Sequence, residues 1–161
     1  PLIHAIAAKA VCFLEALTPE FRIYQEMVVQ NAETLADTLL DGGLRLVSGG
    51  TDNHLVLVDL KTTGITGLEA QLALQAAGIV ANRNAIPFDP RSPFITSGIR
   101  IGTPSVTTAG MKQEQMVILG NAIVEILRKR NDPAVLEQLR ARVDELARAF
   151  PAYPVEFNGY V

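Results

Sequence analysis

Three prolines within seven residues, Pro87, Pro90 and Pro93, constrain this chain more than any other feature. Each removes a backbone donor, fixes its own φ and pushes the residue before it toward extended conformations. Residues 82–97 therefore read as neither helix nor strand but as a long, stiffened loop. A loop of that length inside a compact domain generally binds something, so function is sought there first. Regular structure has to be built on either side of it.

Ahead of the loop, Pro1 suits a first helical position, and Leu2, Ile3, Ile6, Ala7, Ala10, Val11 and Leu14 cover most of a helix circumference with apolar groups. Such a helix needs burial, and a chain that starts on it is expected to begin inside a larger protein. Thr18 and Pro19 signal a second helix, with Phe21, Val28, Ala32, Leu35 and Leu39 at helical spacing and Gly42 and Gly43 as a left-handed stop. Residues 44–47 and 55–60 read as a hairpin-like pair of strands around the turn-rich residues 48–53. Thr66 and Glu69 form a capping box before Leu68, Leu72 and Ala76, Gly78 closes that helix, and a short strand is expected at 79–81.

Beyond the loop, residues 98–103 read as a strand leading to a turn at Pro104. Two helices come next, 113–130 with Met116, Leu119, Ile123 and Leu127 on one face, and 133–150 capped by Asp132 and carrying Leu136, Leu139, Val143 and Leu146. The tail, 151–161, lacks periodicity and is expected to be poorly ordered. The fold class is α+β, a small mixed or antiparallel sheet covered by helices.

At 161 residues, 48% of them hydrophobic and 19% charged, the chain can bury one real core and is not intrinsically disordered. A net charge of −3 lacks the basic excess that nucleic acid demands. Cys12 is the single cysteine, so there is no intrachain disulfide, and His4 and His54 are too few for a histidine metal site, so no metal is expected. No apolar run is long enough to span a bilayer and no signal peptide opens the chain, which reads as soluble and cytoplasmic, with neither membrane nor nucleic acid as partner.

Arg100, which comes after Ser97, Gly98 and Ile99 at the end of the loop, carries the side chain whose planar fork matches a carboxylate. A surface arginine paired with a nearby acid is the alternative. Asn82, Asn84, Ser92 and Thr96 offer directional hydrogen bonds to a polar heterocycle, or else serve local turns. Asp52, Asn53 and His54 read as an Asx turn leading into a strand, or as an acid–base pair. His4 reads as a core or interface histidine. Arg128, Lys129 and Arg130 complement a helix dipole. Ser48, Gly49 and Gly50 make a turn, not a phosphate loop.

The string NRNAIPFDPRSPFITSGIRIGTP (82–104), together with SGGTDNHL (48–55) and PLIHAIAAKA (1–10), resembles serine hydroxymethyltransferase, a fold-type I pyridoxal-phosphate enzyme of one-carbon metabolism and amino-acid biosynthesis. The resemblance runs to about Tyr153. It implies a C-terminal portion of that homodimeric, cytoplasmic transferase. Residues 1–18 would pack on a large domain absent from this chain, 19–150 would form the small domain, and 151–161 a tail. It further implies that Arg100 grips the carboxylate of serine or glycine, that Asn84 hydrogen-bonds the pteridine of tetrahydrofolate, and that Ser92 and Phe94 line the folate site. Lys9, Lys61, Lys112 and Lys129 lie outside the family's cofactor-lysine motif, so pyridoxal phosphate would be bound elsewhere in the whole enzyme, and no residue of this chain would be catalytic by itself. Ala109 stands where the family often has arginine. A non-catalytic α+β ligand-binding module and the C-terminal domain of another fold-type I enzyme are the competing readings.

Overall fold

Residues 1–153 are described by a computed structural model. The expectation for the tail falls, from 154 onward, outside the described residues. Helix α1 (Ile3–Ala16) leads into α2 (Pro19–Asp41), where Thr18 Oγ1 accepts the Phe21 N–H at 3.2 Å as the sequence predicts. Of the two glycines after α2 only Gly43 is left-handed, at φ 75°. Strands β1 (Arg45–Leu46) and β2 (Leu55–Asp59) pair antiparallel with Arg45 opposite Asp59. Helix α3 (Gly67–Ala76) carries the expected capping box, Thr66 Oγ1 accepting from Glu69 N at 3.1 Å while the Glu69 carboxylate accepts from Thr66 N at 2.7 Å.

Two expectations need correction. The strand expected at 79–81 forms instead at β3 (Asn82–Asn84), inside what reads as loop. Its partner explains the shift, because an edge strand is held by main-chain bonds to β4 (Gly98–Gly102) and needs no apolar side chains of its own. The turn at Pro104 is a short helix, α4 (Pro104–Thr108), with the proline in its first turn. Helix α1, expected to pack on a domain absent from this chain, has no buried residue, and Leu2, Ile3, Phe13 and Leu14 are each about two-thirds exposed; the described residues do not supply the burial its apolar circumference calls for.

The sheet runs in the order β1-β2-β4-β3 and is antiparallel throughout, an α+β arrangement. Alternation gives it one buried face. Val56, Val58, Ile99 and Ile101 point into a core closed by Leu35 and Leu39 of α2, Leu74 of α3, Ile123, Ile126 and Leu127 of α5 (Gln113–Lys129), and Leu139 of α6 (Pro133–Ala149). Buried Asn31 ties α2 to α4 and the turn after it, its amide donating to Thr107 Oγ1 at 2.9 Å and to the Met111 carbonyl at 3.0 Å. Thr103 Oγ1 donates to the Val28 carbonyl at 2.8 Å. The strand that carries Arg100 is thus fixed at its C-terminal end by buried hydrogen bonds to α2.

Candidate functional site

Arg100 sits at the centre of β4, opposite Leu57 of β2 and Asn82 of β3. Its neighbours Ile99 and Ile101 enter the core, so strand alternation sends Arg100 to the opposite face of the sheet, where it is exposed. Asn82 and Asn84 share that face by the same rule. Asn84 lies opposite Gly98, which makes it a diagonal neighbour of Arg100, a relationship that spans roughly 7–8 Å in antiparallel sheets. Among the described residues no carboxylate comes within 4.0 Å of the Arg100 guanidinium; Asp59 on the same face is taken by Arg45 at 3.4 Å and Lys61 at 3.9 Å. The surface ion-pair reading of Arg100 therefore has no partner to support it. Arg100 opens onto a depression of about 350 Å³ lined also by His54, Asn82 and Ser105.

The loop beyond β3 is ordered by a residue that sequence reasoning passes over. Asp89 accepts four hydrogen bonds: Oδ1 takes the Ser97 hydroxyl at 2.6 Å and the Arg91 N–H at 3.0 Å, and Oδ2 takes the Ser97 N–H at 2.8 Å and the Ile86 N–H at 3.2 Å. Burial works against its ionisation, yet these donors outweigh that cost and hold the carboxyl down at about 2. Arg91 Nη1 donates to Ser97 Oγ at 2.9 Å and completes the cluster. Ser97 in turn accepts the Leu60 N–H through its carbonyl at 2.8 Å, which ties the cluster to the sheet. The only sequence signal is Asp89 standing next to Pro90, which reads as ordinary turn chemistry.

The other predicted residues fall into three groups. Asn84 is half-buried and donates one amide N–H to the Ala85 carbonyl at 2.7 Å, which leaves its side-chain oxygen and second N–H available. Ser92 and Phe94 are exposed on the outer part of the loop, Phe94 at 77%, and do not line the Arg100 depression. Thr96 is buried at φ 58° with its hydroxyl on the Gly98 carbonyl at 3.2 Å, so its work is local. Asn53 Oδ1 accepts from Leu55 N at 2.9 Å, the Asx turn expected there, and Ser48 Oγ closes its own turn on the Gly50 carbonyl. Arg128 donates to the Gly42 carbonyl at 2.6 Å and so serves the C-terminus of α2 as well as that of α5. His4, expected in a core or interface, is exposed because α1 is. Ala109 caps α4. Lys9, Lys61, Lys112 and Lys129 are all exposed, and none lines the Arg100 depression.

A small α+β domain whose sheet displays, on the face away from its core, an exposed arginine with no acidic partner among the described residues is the class this geometry defines. The family model of serine hydroxymethyltransferase matches residues 1–123. The chain is 55% identical over 153 residues to the serine hydroxymethyltransferase of Leptothrix cholodnii, 55% identical over 154 to that of Methanospirillum hungatei and 52% identical over 153 to that of Myxococcus xanthus. These alignments cover 95%, 96% and 95% of this chain and 37% of each relative's length. The chain belongs to the serine hydroxymethyltransferase family, a family of transferases, and corresponds to the C-terminal part of its relatives.

Proposed function

We propose that this chain is the substrate-facing C-terminal domain of a serine hydroxymethyltransferase, which interconverts serine plus tetrahydrofolate with glycine plus 5,10-methylenetetrahydrofolate. Residues 19–150 form the small domain, α1 within 1–18 packs its apolar circumference on the large domain, and 151–161 is the tail. Arg100 holds the substrate carboxylate. Asn84 hydrogen-bonds the pteridine edge, and Ser92 and Phe94 line the rest of the folate site. Pyridoxal phosphate, which the family resemblance implies, is held by residues other than these, in a homo-oligomeric enzyme of the cytoplasm, and this chain alone is inactive. The observation that carries the reading is Arg100 itself, an exposed arginine without an acidic partner among the described residues, fixed by the register of β4 and lining a depression.

The chemistry of the grip is geometric. A guanidinium presents two parallel N–H donors to a carboxylate, which fixes the orientation of the bound amino acid as well as its position. The test belongs in the full-length enzyme that contains this sequence. Arg100→Lys keeps the charge and loses the fork, and Arg100→Ala loses both. Each charge-assisted bond contributes roughly 1.5–3 kcal/mol, so serine binding weakens by about one to two orders of magnitude in Arg100→Lys and further in Arg100→Ala. Tetrahydrofolate binding stays near the parent value, and Asn84→Ala shows the reverse pattern. Serine binding unchanged in Arg100→Ala overturns the assignment.

A further inference from the structure

The loop that would face folate carries exposed ligand-type side chains but is shaped by a residue that points inward. Asp89 collects donors from three places along the chain, Ile86 before it, Arg91 just after it and Ser97 at the foot of β4. Residues 86–97 are thereby closed on one carboxylate. The closure shows in the backbone: Phe88 and Thr96 both adopt left-handed conformations, at φ 55° and 58°, which side-chain-bearing residues enter only when their surroundings impose them. Gly98 takes part as well, since a Cβ there would meet Ile86 Cγ2 and the Val58 carbonyl at 2.7 Å each. Ile86 thus folds down on the sheet directly beside Asn84. At the other end of the loop the Ile95 and Thr96 carbonyls accept the first N–H groups of α3, from Leu68 and Gly67, at 3.0 Å each.

We infer that Asp89 is the positioning residue of the folate site: it touches no ligand, and through Ser97, Arg91 and Ile86 it sets the loop geometry that presents Asn84, Ser92 and Phe94. This inference rests on the folate reading above. Both oxygens are used as acceptors, so an amide at this position would turn an N–H₂ group toward N–H donors and break the clasp while keeping size and shape. The carboxylate stays ionised throughout the physiological range, so the clasp stays closed there.

The experiment compares Asp89→Asn, Ser97→Ala and Asn84→Ala in the full-length enzyme, with tetrahydrofolate and serine as the probes. Measured are the tetrahydrofolate KM, kcat, the serine dissociation constant and amide hydrogen exchange along 84–100. Expected for Asp89→Asn is a rise of at least about tenfold in the tetrahydrofolate KM, serine affinity within about twofold of the parent, and faster exchange confined to 86–97. Ser97→Ala, which keeps the carboxylate and removes one of its four donors, shifts the same constants in the same direction by less. If Asp89→Asn does not fold, Ser97→Ala decides by the same split. Should Asn84→Ala raise the tetrahydrofolate KM while Asp89→Asn and Ser97→Ala leave it unchanged, the positioning role is overturned and the folate reading stands. Should none of the three move it, the folate reading falls and the positioning role with it. Equal loss of serine and tetrahydrofolate binding in Asp89→Asn would assign the clasp to general stability and overturn the inference as well.

Discussion

Asp89 and Arg100 sit eleven residues apart and differ in what makes them readable. Arg100 stands out by type and place, a guanidinium on a strand after a long loop, with a carboxylate grip and a surface ion pair as the two readings its sequence allows. Asp89 does not, since its meaning lies in donors brought to it by the loop's closure, and aspartate next to proline occurs in any turn. The same donors make Asp89 a pH reporter. Burial opposes its ionisation, yet the Ser97 hydroxyl and the Arg91, Ser97 and Ile86 N–H groups hold its carboxyl at about 2 when folded, and it titrates near 3.9 when unfolded. A depressed folded value means that the clasp's contribution to stability is complete above about pH 4 and is lost as pH falls from there toward 2. Urea midpoints of the parent and Asp89→Asn, measured between pH 6 and 2.5, are expected to differ most above pH 4 and to converge on acidification. A gap that stays constant over that range shows that the carboxylate makes no pH-linked contribution.

At the scale of elements, the helices α2, α3, α5 and α6 are legible because their caps and apolar periodicity are local properties of the chain. Strand β3 is not: Asn82, Arg83 and Asn84 have no strand composition, and only the β4 main chain makes them one. The short helix α4 escapes notice for a related reason, since its place is set by hydrogen bonds to α2 rather than by its five residues. Contact between α2 and α5 depends on another unreadable feature. A Cβ on Gly120 would lie 2.7 Å from Thr38 Cγ2 and 2.8 Å from Thr38 Cβ, so the two helices approach too closely there for any larger residue. Helix propensity alone would favour alanine over glycine by up to about 1 kcal/mol. The buried, branched Thr38 cannot swing aside, because its hydroxyl is bonded back to the Thr34 carbonyl at 2.7 Å. Overpacking of this kind costs about 1–3 kcal/mol and prevails. Gly120→Ala is therefore expected to lower the denaturation midpoint despite its better propensity; a rise would mean that α2 and α5 separate freely.

For the whole molecule the open balance is between a well-closed core and an uncovered helix. Leu2, Ile3, Ile6, Val11, Phe13, Leu14 and Leu17 of the α1 region are all more than half exposed, on a helix with no buried residue. Contiguous apolar surface on this scale marks a face that meets another surface. No helix among the described residues is long and apolar enough to cross a membrane, so a bilayer-spanning role for α1 does not account for it. In the isolated chain water is the only alternative to self-contact, and each large side chain withdrawn from water contributes roughly 1.5–3 kcal/mol when fully buried. The isolated chain is accordingly expected to associate as its concentration rises. Ile6→Glu with Phe13→Glu places two charges on that surface without touching the core, because both positions lie outside the buried cluster. Sedimentation velocity over a hundredfold concentration range separates the outcomes. Association in the parent, with a monomeric double variant of unchanged thermal midpoint, identifies α1 as the adhesive face; a parent monomeric throughout shows that the apolar helix is tolerated in water and needs no covering surface.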